Sequence, residues 1–241
     1  MDGTGTPKAI VFDLDNTLFD HQHSSRCAIS AVRNRCPELA GKTLDELITK
    51  YDAAFQKLYD AYLRKEITHA HMGVKRIQTF FTDLGLAASP EKVKEFRAIY
   101  KPAYREARRA APGSIETLTK LREHGYSLAI LTNGHVKKQN EKAELIGVRH
   151  LVHHLVTSEE VGFAKPDPRI FRHVLDRLGT SADATYMVGD SPNADIKGAL
   201  DAGMRPILYS PMAQGPQRLI FEQQVPVIHH MSQLLEYFAI T

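Results

Sequence analysis

The apolar segment Lys8–Leu14 constrains the fold of this chain more than any other feature of its sequence. Its residues, KAIVFDL, are typical of a buried strand, yet the next segment of this kind begins only at Tyr126. A strand must pair its backbone N–H and C=O groups with neighbouring strands, because unpaired buried groups are costly. We therefore expect Lys8–Leu14 to join a sheet formed by the C-terminal half of the chain, with the intervening residues inserted.

Short apolar segments alternate with helical patterns in the C-terminal half. The predicted strands there are Tyr126–Leu131, His154–Thr157, Thr185–Val188 and Pro206–Tyr209. The predicted helices are Ser114–His124, Val136–Leu145, Pro168–Leu178, Ala194–Ala202 and, packed on the sheet, Met231–Phe238. Such alternation predicts right-handed βαβ units, and hence an α/β fold in which helices cover both faces of a parallel sheet.

Helical patterns fill the segment between the first strand and the C-terminal half. They are His23–Arg35, Thr43–Lys65, Thr68–Leu84 and Pro90–Arg109. Thr43 and Glu46 form a capping-box pattern at the start of the second helix, and Ser89 precedes Pro90 as the N-cap of the fourth. We expect residues 20–109 to form an all-α domain inserted into one α/β domain, which is made of residues 1–19 and 110–241.

The charge balance and the apolar runs exclude some classes of partner. The formal net charge is only +3, and basic residues are interleaved with acidic ones, which is not typical of a nucleic-acid-binding surface. No apolar run approaches the roughly 18 residues of a membrane span. The N-terminus lacks the basic-then-apolar pattern of a secretion signal. We expect a cytoplasmic protein that binds a small anionic metabolite and neither nucleic acid nor a membrane.

Four polar motifs follow the predicted strands. They are, in chain order, Asp13-Leu14-Asp15-Asn16-Thr17, Thr132-Asn133-Gly134, Lys165-Pro166, and Gly189-Asp190 with Asp195. In open parallel sheets, ligands bind at the carboxyl ends of the strands, close to the point where the strand order reverses. We therefore expect the four motifs to converge on one site.

The carboxylates of these motifs point to a bound cation. Asp13 and Asp15 are two residues apart, so an extended chain directs both side chains to one face, where they repel each other. A cation between them removes that repulsion, and Asp190 supplies a further oxygen ligand. Hard oxygen ligands without a nearby His or Cys favour Mg²⁺.

The same motifs suit phosphoryl transfer. One lysine, one threonine and glycine-containing turns with accessible backbone amides form an anion site of the kind that binds phosphate. Phosphoryl transfer depends mainly on charge neutralisation and positioning. One carboxylate that acts as nucleophile, and a second that acts as acid and then as base, would supply the remaining chemistry.

The four motifs resemble those of the haloacid dehalogenase-like superfamily. In this chain they are DxDxT at Asp13, Asp15 and Thr17, the strand end Thr132-Asn133-Gly134, Lys165 before Pro166, and GDxxxxD at Gly189–Asp195. The segments LTNGHVKKQNEKAELIGV and TSEEVGFAKPDPRIF are similar to the helical-cap branch that contains pyrimidine 5′-nucleotidases and N-acylneuraminate-9-phosphatases. The resemblance implies a Rossmann-like core and, at residues 20–109, a helical cap that closes over the site and recognises the leaving group.

The resemblance also implies the roles of three catalytic residues. Asp13 is the nucleophile and a Mg²⁺ ligand. Asp15 protonates the leaving oxygen and then activates water, while its backbone carbonyl contacts the metal. Lys165 pairs with Asp13 and with the phosphate.

Five further residues support these three in the same family pattern. Thr132 and Asn133 hold phosphate oxygens, and Asp190 is a metal ligand. Asp195 is an outer carboxylate that orients metal-bound water and Lys165. Thr17 braces the loop that aims the second catalytic aspartate.

The sequence thus predicts a Mg²⁺-dependent phosphatase that hydrolyses a small phosphate monoester through an aspartyl-phosphate intermediate. A nucleoside 5′-monophosphate is the favoured substrate, and a sugar or acyl-sugar phosphate is the alternative. A phosphomutase, which uses the same core, stays open. A 2-haloacid dehalogenase is disfavoured, because that branch typically lacks an acid at the position of Asp15 and needs no metal. A non-catalytic metabolite-binding protein is disfavoured because Asp13 and Asp15 are both present.

Overall fold

The computed structural model describes residues 9–64 and 66–240 of the chain. Lys8, where the predicted first strand begins, and Lys65, where the second predicted helix ends, lie outside the described residues. Among the helices in these ranges, none combines the length and the apolar character that crossing a lipid bilayer requires.

A seven-stranded sheet is formed by the described residues of the N-terminal segment and the C-terminal half. Its strands are β1 (Ala9–Phe12), β2 (Ser127–Thr132), β3 (His154–Thr157), β4 (Thr185–Gly189), β5 (Arg205–Tyr209), β6 (Gln217–Ile220) and β7 (Gln223–Ile228). They lie in the order β3-β2-β1-β4-β5-β7-β6, and each neighbouring pair is parallel except β6 with β7. This arrangement confirms the predicted α/β fold.

The register of the central strands places their carboxyl ends at one level. Phe12, the last residue of β1, lies beside Ile130 of β2 and Val188 of β4. The strand order reverses between β1 and β4, which is where open α/β sheets bind their ligands. The polar residues that follow these strands therefore share one edge of the sheet.

The chain divides into two compact units, and the boundary between them lies at Asp20 and Arg109. The Asp20 backbone N–H donates to the Arg109 carbonyl at 3.1 Å, and Arg109 Nη2 lies 2.8 Å from Asp20 Oδ2. Both residues belong to the unit that contains the sheet. The other unit, His21–Arg108, is one residue shorter at each end than the predicted insertion, residues 20–109.

The His21–Arg108 unit contains four α-helices in its described part. They are α1 (His21–Arg35), α2 (Leu44–Leu63), α3 (His69–Asp83) and α4 (Pro90–Glu106). Their apolar faces pack around buried aromatic side chains, including Phe80, Phe81 and Phe96. This unit therefore has a hydrophobic core of its own. Helix α4 ends three residues before the predicted end, Arg109, and Arg109 pairs with Asp20.

Two helix starts in this unit follow the predicted capping signals. The Glu46 backbone N–H donates to Thr43 Oγ1 at 3.2 Å, and the Lys92 backbone N–H donates to Ser89 Oγ at 3.3 Å. Each bond satisfies an N–H group that the first turn of a helix leaves without an intrahelical acceptor. Thr43 and Ser89 are thus the N-caps that the sequence predicts.

The unit that contains the sheet has six α-helices among its described residues. They are α5 (Ser114–Glu123), α6 (Val136–Leu145), α7 (Ser158–Val161), α8 (Pro168–Leu178), α9 (Lys197–Asp201) and α10 (Gln233–Tyr237). The predicted helix Ala194–Ala202 begins instead as a π-helical turn, Pro192–Ile196, and continues as α9. Such turns occur frequently at functional sites, and this one carries Asp195.

The hairpin formed by β6 and β7 was not predicted. Phe221 and Glu222 join the two strands with φ angles of 47° and 62°. Turns with two positive φ angles are usually made by Asn and Gly, so this sequence lacks the normal hairpin signal. Pro226 also lies within β7, and proline argues against a strand because it cannot donate a backbone hydrogen bond.

Candidate active site

Asp13 is the first residue after β1, and the strand delivers its side chain to the carboxyl edge of the sheet. Its backbone N–H donates to the Val188 carbonyl at 2.9 Å, so the residue is held in line with β4. Asp13 is 6% exposed; its Oδ1 lies 2.6 Å from Lys165 Nζ, and its Oδ2 accepts from Thr17 Oγ1 at 3.2 Å. Both carboxylate oxygens are therefore fixed by neighbouring donors.

Lys165 belongs to the third motif, and its ammonium group contacts the first and the fourth motifs. Nζ lies 2.6 Å from Asp13 Oδ1 and 2.7 Å from Asp195 Oδ1, and it donates to the Leu131 carbonyl at 2.8 Å. An ammonium group has three N–H donors, and each of these three oxygens can accept one. Lys165 is buried and fully engaged, so its position and charge are fixed by the carboxylates around it.

Asn133 holds the loop that presents Lys165. The Lys165 backbone N–H donates to Asn133 Oδ1 at 2.8 Å, and Asn133 Nδ2 donates to the Lys165 carbonyl at 3.1 Å. The two bonds tie the end of β2 to the loop after α7. The predicted phosphate contact of Asn133 is left to its second Nδ2 hydrogen, because an amide nitrogen carries two.

Asp195 is placed by the π-helical turn after β4. Its Oδ2 accepts from the Ser191 backbone N–H at 3.0 Å, while Oδ1 contacts Lys165. The turn brings this carboxylate so close to Gly189 that a Cβ atom there would lie 2.3 Å from Asp195 Oδ2. Glycine is therefore required at position 189 for Asp195 to reach the lysine.

Asp13, Asp190 and Asp195 form a carboxylate cluster in which one oxygen of each lies within 4.8 Å of the others. Burial raises the pKa of Asp13 to about 7, and the charge of Asp195 adds to this effect while that of Lys165 opposes it. Burial, with the charges of Asp13 and Asp195, raises the pKa of Asp190 to about 8. Burial lowers the pKa of Lys165, but Asp13 and Asp195 outweigh it and the pKa is raised.

The cluster thus has more negative charge than Lys165 can neutralise when its three carboxylates are ionised. The donors are hard oxygens, which divalent Mg²⁺ prefers. Asp13 and Asp195 both contact Lys165 as well, and the choice of Asp13 and Asp190 as the side chains that would hold such an ion follows the family resemblance. These residues fit the predicted metal site.

Asp15 has a different set of neighbours. Its Oδ1 lies 2.5 Å from Lys142 Nζ, and its Oδ2 accepts from Gln139 Nε2 at 3.0 Å. Gln139 Nε2 also lies 2.8 Å from Thr132 Oγ1, which links Asp15 to the end of β2. Gln139 and Lys142 were not predicted as site residues. Their spacing of three residues places them on one face of α6, but the lysine-rich sequence of that helix carries no signal that distinguishes them.

All eight predicted site residues meet in this part of the sheet-containing unit. Lys165 contacts Asp13 and Asp195 directly, and Asp190 lies beside those carboxylates. Thr17 donates to Asp13. Asn133 holds the backbone of Lys165, and Gln139 connects Asp15 to Thr132.

Comparison with known proteins is consistent with this geometry. The chain is 32% identical over 240 residues to the glyceraldehyde 3-phosphate phosphatase of Methanothermobacter thermautotrophicus, covering 95% of this chain and 98% of that protein. It is 28% identical over 228 residues to pyrimidine 5′-nucleotidase YjjG of Escherichia coli, covering 94% of this chain and 96% of that protein.

A solved structure supports the same fold. The hydrolase YfnB of Bacillus subtilis matches with a TM-score of 0.76 at 22% identity, covering 98% of this chain and all of that one. A family model described as haloacid dehalogenase-like hydrolase matches residues 7–203. That range contains the four motifs and the whole carboxylate cluster. The chain belongs to the haloacid dehalogenase-like hydrolase family.

Proposed function

We propose that this protein is a Mg²⁺-dependent phosphatase that hydrolyses a small phosphate monoester through a phosphoryl group on Asp13. The observation that carries the proposal is the buried Asp13 carboxylate, held 2.6 Å from Lys165 Nζ and clustered with Asp190 and Asp195. The names of two relatives that align over nearly the whole chain, a phosphatase and a nucleotidase, support it.

In the first step, a carboxylate oxygen of Asp13 attacks the phosphorus atom and the bond to the ester oxygen breaks. The leaving alkoxide takes a proton from the Asp15 carboxyl group, so the products are an alcohol and phosphorylated Asp13. Lys165 holds Asp13 in place through this step and offsets charge that builds on the phosphoryl oxygens.

In the second step, water attacks the phosphorus atom of the acyl phosphate. The ionised Asp15 takes the proton of that water, the bond from phosphorus to Asp13 breaks, and inorganic phosphate and the Asp13 carboxylate are released. The net reaction consumes one water and regenerates both aspartates. Asp15 thus acts first as acid and then as base.

The metal would be held by Asp13 and Asp190 and, as the family resemblance implies, by the backbone carbonyl of Asp15. When bound, Mg²⁺ supplies positive charge that offsets the carboxylates and the substrate phosphate. Lys165 alone cannot supply enough charge, since its single positive charge already faces the carboxylates of Asp13 and Asp195. YfnB, which shares the fold, was solved bound to magnesium.

For the substrate we favour a small sugar phosphate. The supporting observation is the alignment with a glyceraldehyde 3-phosphate phosphatase, which has higher identity than the alignment with nucleotidase YjjG. A nucleoside 5′-monophosphate is the second candidate, supported by YjjG. In either case we propose that the His21–Arg108 unit is the cap that recognises the leaving group, as the family resemblance implies.

The test is phosphate release by the full chain from a panel of sugar phosphates and nucleoside 5′-monophosphates, with Mg²⁺ or with EDTA. We expect turnover only with Mg²⁺ and the highest kcat/KM for a sugar phosphate. Asp13→Asn is expected to fold normally and to lower kcat by at least about 1,000-fold, because the nucleophile is lost.

The matched control is Asp201→Asn, which changes an exposed aspartate on α9 and should leave turnover unchanged. Acid-quenched wild-type protein should carry one phosphoryl group that Asp13→Asn lacks. Substantial turnover by Asp13→Asn, or full activity in EDTA, would contradict the proposed mechanism.

A further inference from the structure

Two side chains of α6 contact the carboxylate of Asp15. Lys142 Nζ lies 2.5 Å from Oδ1, and Gln139 Nε2 donates to Oδ2 at 3.0 Å. We propose that Gln139 and Lys142 are positioning residues that hold the Asp15 side chain in the orientation required for proton transfer. This inference rests on the proposed function, in which Asp15 is the acid and base.

Asp15 needs such a support more than Asp13 does. The Asp13 side chain is 8% exposed and is fixed by Lys165 and Thr17, whereas the Asp15 side chain is 36% exposed. A half-exposed aspartate can rotate about two side-chain torsions and direct its carboxylate to water. Hydrogen bonds to both oxygens fix these torsions, and the bond from an ammonium group is of the stronger, charge-assisted kind.

Gln139 is itself held rigidly. The residue is 4% exposed, and Nε2 lies 2.8 Å from Thr132 Oγ1 and 3.1 Å from the Asn133 carbonyl as well as 3.0 Å from Asp15 Oδ2, so its two hydrogens are shared among three acceptors. Its side chain lies over Gly134, where φ is +150° and a Cβ atom would come within 2.9 Å of Nε2. The glycine of the second motif therefore makes room for the amide that reaches Asp15.

Lys142 is the second support and lies one helical turn further along α6. Its side chain is 13% exposed, and Nζ lies 5.1 Å from the centroid of the buried Phe19 ring. The ring lies against the ammonium group, and the low exposure of the Lys142 side chain strengthens the attraction of this group to the carboxylate. Gln139 and Lys142 thus approach Asp15 from one rigid element.

The test compares two kinds of phosphate ester, because only one needs a proton from Asp15. p-Nitrophenolate can leave without taking a proton, whereas the alkoxide leaving group of ribose 5-phosphate or glycerol 3-phosphate must be protonated. The parameter kcat/KM reports the transfer of the phosphoryl group to Asp13, while kcat also includes hydrolysis of the acyl phosphate. The variants are Lys142→Met, Gln139→Leu and the conservative Lys142→Arg.

Lys142→Met is expected to lower kcat/KM about 100-fold for the better aliphatic ester and less than about threefold for p-nitrophenyl phosphate. With the aryl ester, kcat and KM should fall together and a burst of p-nitrophenolate should appear, because water attack also needs Asp15. Gln139→Leu should show the same pattern with a smaller decrease in kcat/KM. Lys142→Arg should retain most of the wild-type kcat/KM.

The matched control is Lys137→Met, because Lys137 lies on the same helix with its side chain 89% exposed. It should leave both esters unaffected. Equal losses for the two esters in folded Lys142→Met and Gln139→Leu, or no loss in either, would overturn the inference. If the wild type lacked Mg²⁺-dependent turnover, or Asp13→Asn retained it, the proposed function itself would fail instead.

Discussion

Lys165 is the residue on which the charge balance of the site depends. Its one ammonium group contacts Asp13 and Asp195, and both aspartates are buried. Without it, two carboxylates would stay in a poorly solvated position with no cation beside them. Removing one partner of a buried ion pair costs roughly 3–5 kcal/mol, because the remaining charge loses its compensation.

We expect Lys165→Met to lower the free energy of unfolding by roughly 3 kcal/mol at pH 7. The loss should be smaller at pH 5. Burial raises the pKa of Asp13, so falling pH neutralises this carboxyl group in the folded protein and removes part of the uncompensated charge. Urea unfolding at the two pH values measures both effects.

The control for this prediction is Lys197→Met. Lys197 pairs with Asp201 at 2.5 Å, but both side chains are 46% exposed, so water and salt screen the pair. Its loss should cost less than about 1 kcal/mol. If both lysine variants lost the same stability at pH 7, Lys165 would not be compensating buried charge.

At the scale of secondary-structure elements, the sequence predicts best where one local signal is sufficient. Strand β1 is a continuous apolar run, and Asp13 follows it directly, so both the strand and the site at its end could be predicted. The β6–β7 hairpin has no such signal, since Phe221 and Glu222 adopt positive φ without being Asn or Gly. Strand β7 is joined to the sheet by pairing with β5, which is a contact between different segments of the chain that no local pattern signals.

Helix α6 shows a second reason why part of the site could not be predicted. Its sequence, VKKQNEKAEL, is polar on most sides, and the position of the helix was predicted correctly. Four of its residues are lysine or glutamine, and nothing local distinguishes the two that face Asp15. Only the placement of α6 against the loop after β1 and the end of β2 selects Gln139 and Lys142.

The positive φ angles in the turn of the β6–β7 hairpin lead to a prediction about its stability. Replacing Phe221 by Asn and Glu222 by Gly should raise the free energy of unfolding by roughly 1 kcal/mol or more, because these residues tolerate positive φ. Phe221 is 47% exposed, so little buried surface is lost. Urea unfolding measures the change, and Phe221→Ala, which keeps a Cβ atom at the strained position, should give no gain. A neutral or destabilising double variant would show that the turn stores no strain.

At the scale of the whole molecule, the predicted chemistry is confined to one of the two units. All eight predicted site residues lie in the unit that contains the sheet, and the His21–Arg108 unit has a separate aromatic core. The carboxylate cluster lies at the carboxyl edge of the sheet, after the central strands β1 and β4. Its charge should therefore affect the stability of that unit as well as its reactivity.

This link predicts how Mg²⁺ and pH act together on stability. Burial raises the pKa of Asp13 from 3.8 to about 7 and that of Asp190 to about 8. A carboxyl group whose pKa is higher in the folded state stabilises the fold below its unfolded pKa, and this contribution is lost as pH rises through the folded value. Without metal, the protein should lose stability between pH 5 and pH 8.

Mg²⁺ binds the ionised carboxylates, so the rise in Tm that it causes should be several degrees larger at pH 8 than at pH 5. Thermal unfolding with Mg²⁺ or EDTA measures this difference, and Asp190→Asn should remove most of the gain. Carboxylates with ordinary pKa values are already ionised at pH 5, so Mg²⁺ bound to them would raise Tm equally at both pH values. An equal rise would therefore show that the buried cluster is not the source of the Mg²⁺ effect.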